Sequence, residues 1–286
     1  MFSSQAGGCG EIANAVVAAR LLLTINTDPL IVHSMSQMAY EFLPGVPSAH
    51  VLGRLSAAGG NEVGSGKLAS PQSSADLAVN TFGWFIERPE LLPPFSTVKS
   101  LEWPALKVEV EFCARFPWSG GKHPWLDAWI ETSSAVIGVE SKRFEPYRDR
   151  KRGAFSDAYD RPVWHDQMGL YERLKNRLRS RDEQFQYLDA VQLVKHAFGL
   201  VTEGRRKQKR PYLLYLFAEP EKYLDVPIPE QSKQNHRAEI DRFAEAVRGA
   251  EVQFAASSYR EWLESWPEPV GELVRHRNAI LERFQP

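Results

Sequence analysis

Two cysteines in 286 residues are too few for a disulfide framework, and Cys9 and Cys113 lie too far apart in sequence to make a metal pattern. Their scarcity points to a reducing cytoplasm. Long hydrophobic runs are missing as well. Ala13 to Ile25 is fairly apolar, but it is short, Arg20 interrupts it, and no basic leader precedes it. That argues against a membrane span and against a signal peptide. No Gly-x-Ser-x-Gly elbow occurs, so nothing supports a serine hydrolase. The seven histidines form neither a His-x-x-x-His pair nor a cluster with cysteine. Gly64-Ser65-Gly66-Lys67 fails as a phosphate loop: Asn61 stands where the first glycine is needed, and Leu68 stands where Ser or Thr must follow the lysine. No internal repeat is visible.

What is present is ordinary globular material, 43% apolar and 25% charged, enough to bury a sizeable core. The net charge of −1 hides an asymmetry. Residues 142–210 hold 18 Lys and Arg against 10 Asp and Glu, so this block is +8 and the remainder −9. A local positive field suits a polyanionic partner, although charge runs are commonly solvated helix faces.

The basic block begins beside the most informative stretch, Trp125 to Phe144. Two β-type runs flank Thr132-Ser133-Ser134, which reads as a hairpin. Asp127 lies in the first run. Glu140 and Lys142 lie two apart in the second, and strand alternation points them to one side. If the strands pair, two carboxylates and a lysine converge. Carboxylates of this kind can hold a divalent metal, and a neighbouring lysine can orient or deprotonate a water or stabilise developing charge.

Asp127 followed by Glu140-Ser141-Lys142 resembles the PD-(D/E)-x-K nuclease superfamily. Twelve residues separate Asp127 from Glu140, which suits a tight hairpin, and Leu126 rather than Pro precedes the first acid. From about Ser70 to Trp262 the chain is similar to a small prokaryotic family of restriction-type endonucleases. The resemblance implies an α/β fold with a restriction-endonuclease-like αβββαβ core, a mixed central sheet between helices, and N- and C-terminal additions. It implies a metal-dependent endonuclease that hydrolyses DNA phosphodiester bonds in restriction-type defence. Asp127, Glu140 and the Ser141 carbonyl would bind Mg²⁺, for which Mn²⁺ can substitute. Lys142 would position or activate water. Gln192, on the helix after this strand, would add a polar group to the site. Arg143, Lys195, Arg205, Arg206 and Lys207 would hold the backbone of double-stranded DNA. Cutting both strands of a palindrome would favour a homodimer. An associated methyltransferase is not legible, and no membrane partner is expected.

Along the chain, residues 1–66 read as an extension, with Ile12 to Leu23 a candidate helix, and residues 67–286 as the catalytic domain. A helix starts at the Ser73 cap and runs to about Ile86, putting Asp76 and Asn80 on one face. Leu106 to Phe112 alternates as a half-buried strand, with Glu109 and Glu111 on its polar face. Tyr212 to Ala218 reads as a strand buried on both faces. Helices are expected over Asp166 to Arg181, Tyr187 to Leu200, Gln231 to Arg248, from Tyr259, and over Gly271 to Phe284. Val252 to Ala256 is a short strand, and Pro220 to Pro229 a loop. Gln192, Lys195 and His196 form a possible polar stripe; Gln192, set among apolar residues, is the strongest of them. His165-Asp166 reads as a surface pair and Glu131 as a turn residue.

Two other function classes stand beside the nuclease. A non-catalytic nucleic-acid-binding module would more often have lost a carboxylate or the lysine. A hydrolase of another substrate, such as a glycosidase, fits poorly with Glu-x-Lys and the basic block.

Overall fold

The structure is a computed structural model describing residues 40–98, 103–148, 153–164, 166–267 and 271–286. Phe42 to Pro286 form one compact unit. The helix expected over Ile12 to Leu23, and His165, lie outside the described residues.

Helix α1 (Ser48–Ala57) buries Val51 and Leu55, and α2 (Ser74–Gly83) is buried almost all round. The Ser73 hydroxyl caps α2 by accepting the Asp76 amide at 3.0 Å, which satisfies one of the free donors of the first turn. Strands β1 (Lys107–Cys113), β2 (Trp125–Glu131) and β3 (Ala135–Lys142) follow as an antiparallel meander, with Thr132 to Ser134 as the second turn. Helices α3 (Gly169–Ser180) and α4 (Ala190–Lys207) then carry the chain to β4 (Arg210–Phe217), which pairs parallel to β3. Such a parallel return needs a long crossover. A small hairpin of β5 (Lys222–Tyr223) and β6 (Val226–Pro227) precedes α5 (Glu230–Ala246). Strand β7 (Gln253–Ser258), parallel to β4, and helices α6 (Tyr259–Glu264) and α7 (Glu272–Phe284) complete the unit. The result is an α/β fold whose five-stranded mixed sheet has the order β1-β2-β3-β4-β7.

The sheet is buried on both faces. Val136, Leu213, Tyr215 and Phe217 share one apolar cluster with α4 residues Leu193, Ala197 and Leu200. Their alternates Ile137, Val139, Leu214 and Leu216 are also fully covered, as alternation requires for a sheet lined by helices on each side. Helix α2 packs on β1 to β3, α4 on β3 and β4. At Gly138 an added Cβ would lie 2.7 Å from both Leu126 Cδ1 and Leu200 Cδ2, so glycine lets α4 approach β3 closely.

Residues 220–229 differ from the expected plain loop. They contain the β5–β6 hairpin, whose strands are too short to show any periodicity and whose turn residues are Leu224 and Asp225 instead of Asn-Gly. In β1 the expected alternation breaks at Glu111, which has φ 48° and is buried. Among the described residues, no helix is long and apolar enough to cross a membrane.

Candidate active site

The C-terminal ends of β3 and β4 open onto a cleft of about 1520 Å³ whose lining includes Glu111, Asp127, Lys142 and Gln192. The sheet register explains the gathering. Val110 pairs with Ala128 and Phe112 with Leu126, so Glu111 stands opposite Asp127. Ala128 pairs with Val139, and one further step along the strands brings Asp127 to Glu140. Three acids from three strands thus occupy successive places across the sheet.

Glu140 is 1% exposed. Lys142 Nζ contacts its Oε1, and His196 Nδ1, from α4, lies 3.1 Å from its Oε2. Both carboxylate oxygens are thus buried, each facing a nitrogen of one of these two side chains. Asp127 Oδ2 accepts the Ser141 amide at 2.6 Å, at the point where the β2–β3 pairing ends. The Ser141 hydroxyl is engaged elsewhere, 2.7 Å from the Tyr259 hydroxyl.

These neighbours divide the charge. Burial, followed by the charge of Glu140, pushes Asp127 well above the usual carboxylate range, and Lys142 only partly offsets this. Burial also opposes ionisation of Glu140, but Lys142 and His196 outweigh it and hold Glu140 down at about 2. Lys142 is raised above its ordinary value: burial acts against its charge, and Glu140, Glu145 and Asp127 overcome that. Burial, with Glu62 and Glu140 nearby, lifts Glu111 to about 7. The buried acids therefore do not all ionise readily in the absence of added positive charge.

Among the described residues, no three His, Cys, Asp or Glu side chains form a metal-holding group. A cation here would rely on Asp127, Glu140, the Ser141 carbonyl and water. Such an oxygen set, with only one or two carboxylates, suits Mg²⁺. An Asp127 whose ionisation is opposed by burial and by Glu140, beside a Glu140 that Lys142 and His196 hold ionised, fits a cation at this place.

The other expected site residues separate into two groups. Gln192 lines the cleft near the start of α4, where its amide donates to the Asp189 cap at 2.9 Å. Of the stripe on this helix, His196 is the member that touches Glu140, while Lys195 turns to the rings of Phe155 and Tyr159 at 5.7 and 6.0 Å. Arg143 is 8% exposed, and its guanidinium donates to the carbonyls of Pro71 (2.7 Å) and Phe284 (2.6 Å). Arg205 pairs with Glu251, Arg206 with Glu203 at 2.7 Å, and Lys207 with Glu131 at 2.9 Å. At about 1.5 Å per residue, α4 carries Arg205 roughly 14 Å beyond His196, toward the end of the sheet where Arg210 pairs with Ala135. The structure therefore does not bring Arg205, Arg206 and Lys207 together with Lys142. Asp76 and Asn80 also bond each other, at 2.6 Å, and do not line the cleft.

Glu111, Glu145 and His196 complete the cluster. Glu145 accepts from the Ser74 hydroxyl and from the Arg143 amide, and its charge reaches Lys142. Its position three residues after Lys142 was the available sequence signal. Glu111 offered none, because its alternation assigned it to a solvent face. Cations on the cleft wall are Lys67, Arg148, Arg179 and Arg181. Arg148 lies 3.6 Å from Glu145, and Arg179 pairs with Asp160 at 2.7 Å.

No curated protein and no solved structure matches the chain. One family model does, over residues 50–279, a span that takes in the whole sheet, the cleft acids, Lys142 and the helix carrying His196. On that match the chain belongs to the family described as Restriction Endonuclease associating with ARP.

Proposed function

We propose that this protein is a metal-dependent endodeoxyribonuclease of the PD-(D/E)-x-K type, acting in restriction or defence. The observation that carries the reading is the meeting of Asp127 and Lys142 on the cleft lining with Glu140, which is buried beside them and faces Lys142 and His196 with its two oxygens. The run α2, β1, β2, β3, α3, α4, β4, in which α3 is an extra helix before α4, supports the αβββαβ core. The family's description supports DNA as substrate and ARP as a partner.

Asp127, Glu140 and the Ser141 carbonyl would hold Mg²⁺ or Mn²⁺. Bound there, the ion would supply Lewis acidity and a water of lowered pKa. The protein's own groups do the rest. Lys142, held charged by Glu140 and Glu145, orients the attacking water and stabilises negative charge on the phosphate. His196 fixes Glu140 from behind. Gln192 offers its amide from the cleft wall, where Lys67 and Arg181 supply exposed positive charge for the backbone.

The test incubates wild type and Lys142→Ala with plasmid and with single-stranded DNA, in Mg²⁺ or Mn²⁺ and in EDTA. The expected result is metal-dependent cutting by wild type alone, with DNA binding retained by Lys142→Ala. Binding without cutting by either protein would instead indicate a nucleic-acid-binding module. Absence of both activities would reject the substrate class.

A further inference from the structure

The β5–β6 hairpin sits at the cleft without a role in holding the acids or the lysine. Tyr223 and Leu224 line the cleft. Tyr223 pairs with Val226, so the turn has two central residues, Leu224 at φ 50° and Asp225 at φ 62°. A turn with both central residues at positive φ matches the twist of a hairpin but favours Asn and Gly. A bulky leucine in that region is sterically disfavoured. Burial does not compensate for it: Leu224 is 62% exposed and Val226 is 65% exposed, the two most exposed large hydrophobic side chains among the described residues.

The hairpin is nevertheless firmly mounted. The Ile228 amide donates to the Glu221 carbonyl at 2.8 Å and closes its base. The Tyr223 ring packs on Phe144 with centroids 5.4 Å apart, and Phe144 is two residues beyond Lys142. An apolar tip on a strained turn is therefore tied to the strand that carries the candidate lysine. The cleft beyond it offers rings as well. Trp125 and Tyr187 are half-buried lining residues, and neither ring stacks on another aromatic ring among the described residues. Apolar wedges that enter base steps, together with rings on which displaced bases can rest, are means by which proteins hold unstacked nucleic acid.

We propose that this hairpin is a wedge: Leu224 enters a base step of DNA lying in the cleft, so that the strand facing Asp127, Glu140 and Lys142 is locally unstacked. This rests on the reading of the cleft as a DNA-binding site. It predicts that the exposed leucine matters for the substrate's conformation and much less for folding, because glycine at position 224 would relieve the backbone and remove only the side chain.

The experiment uses full-length wild type and Leu224→Gly, with Leu224→Met as the conservative control. Duplexes carrying 2-aminopurine at successive positions report unstacking as a rise in fluorescence, measured in EDTA so that no cleavage intervenes, while anisotropy of a labelled duplex reports binding. Wild type and Leu224→Met should bind and raise the fluorescence at one position. Leu224→Gly should still bind, lose that rise and, with metal added, cut roughly tenfold more slowly. An equal fluorescence rise and equal cutting by Leu224→Gly would overturn the wedge while leaving the nuclease reading intact. Binding and cutting by wild type without any rise would do the same. A wild type that neither binds nor cuts DNA would remove both proposals together.

Discussion

At the scale of single residues, the site works by unequal sharing of charge. Asp127 and Glu140 are neighbours, yet one is pushed up and the other held down, because Lys142 and His196 both bear on Glu140. Asp127→Asn and Glu140→Gln keep size and shape while removing the charge a cation needs. Each should abolish tight Mn²⁺ binding in a calorimetric titration and lower cleavage by orders of magnitude, with an unchanged circular dichroism spectrum. Cutting at the wild-type rate by either variant would dismiss these two acids. The pair and Lys142 were legible because two-residue alternation and a short hairpin are local properties. Glu111 was not, because its positive φ breaks the alternation on which the strand reading rested. His196 was one of three polar residues on a single helix, and only the seating of that helix selects it over Lys195.

At the scale of elements, the critical contact is α4 on β3. Gly138 lets the helix approach, and the approach brings His196 to Glu140. Gly138→Ala places a methyl group against Leu126 and Leu200 in a closely packed layer. Such overpacking costs about 1–3 kcal/mol. Urea unfolding should show that loss, and cleavage should fall with it as α4 shifts. Unaltered stability and activity would mean that the layer yields more easily than its packing suggests. The far end of the same helix yields a second expectation. Arg205, Arg206 and Lys207 already have acidic partners and stand away from the cleft. Replacing all three with glutamine should leave the salt dependence of DNA binding nearly unchanged. A decrease in slope of about 0.9 per lost phosphate contact would place this end of the helix on the DNA. The expected elements themselves were largely recovered, since caps such as Ser73 and the apolar run of β4 act locally. The small hairpin escaped because its two-residue strands have no pattern to read.

At the scale of the whole molecule, two buried histidines, His236 and His276, should weaken the fold as pH falls. Burial first, then Arg237, lowers His236 from 6.5 to about 3; it sits between the hydroxyls of Tyr215 (2.9 Å) and Tyr147 (3.5 Å). Burial likewise lowers His276 to about 4, although its bond to the Thr81 carbonyl works the other way. A histidine whose pKa is depressed on folding takes up its proton more readily when unfolded. Its contribution is therefore complete above the unfolded value of about 6.5 and is lost as pH falls from there toward the folded values. Each histidine should remove up to about 1.4 kcal/mol per pH unit in that window. Denaturation at stepped pH should show stability falling below about 6.5, and less steeply in His236→Gln. A stability curve flat from pH 7 to 4 would contradict this account.

The sequence alone determined most of the helices and strands from Ser73 onward, the turn between β2 and β3, and the spacing of Asp127, Glu140 and Lys142, because caps, periodicity and turn chemistry operate over a few residues. Tertiary structure decided which charges share the cleft. It gathered Glu111, Glu145 and His196 around the acids and the lysine, committed Arg143 to the Pro71 and Phe284 carbonyls, and left the Arg205–Lys207 charges paired at the other end of α4. Those outcomes depend on strand register and on helix crossovers between residues far apart in the chain, and in a polar side chain's own neighbourhood nothing distinguishes a partner inside the cleft from water outside it.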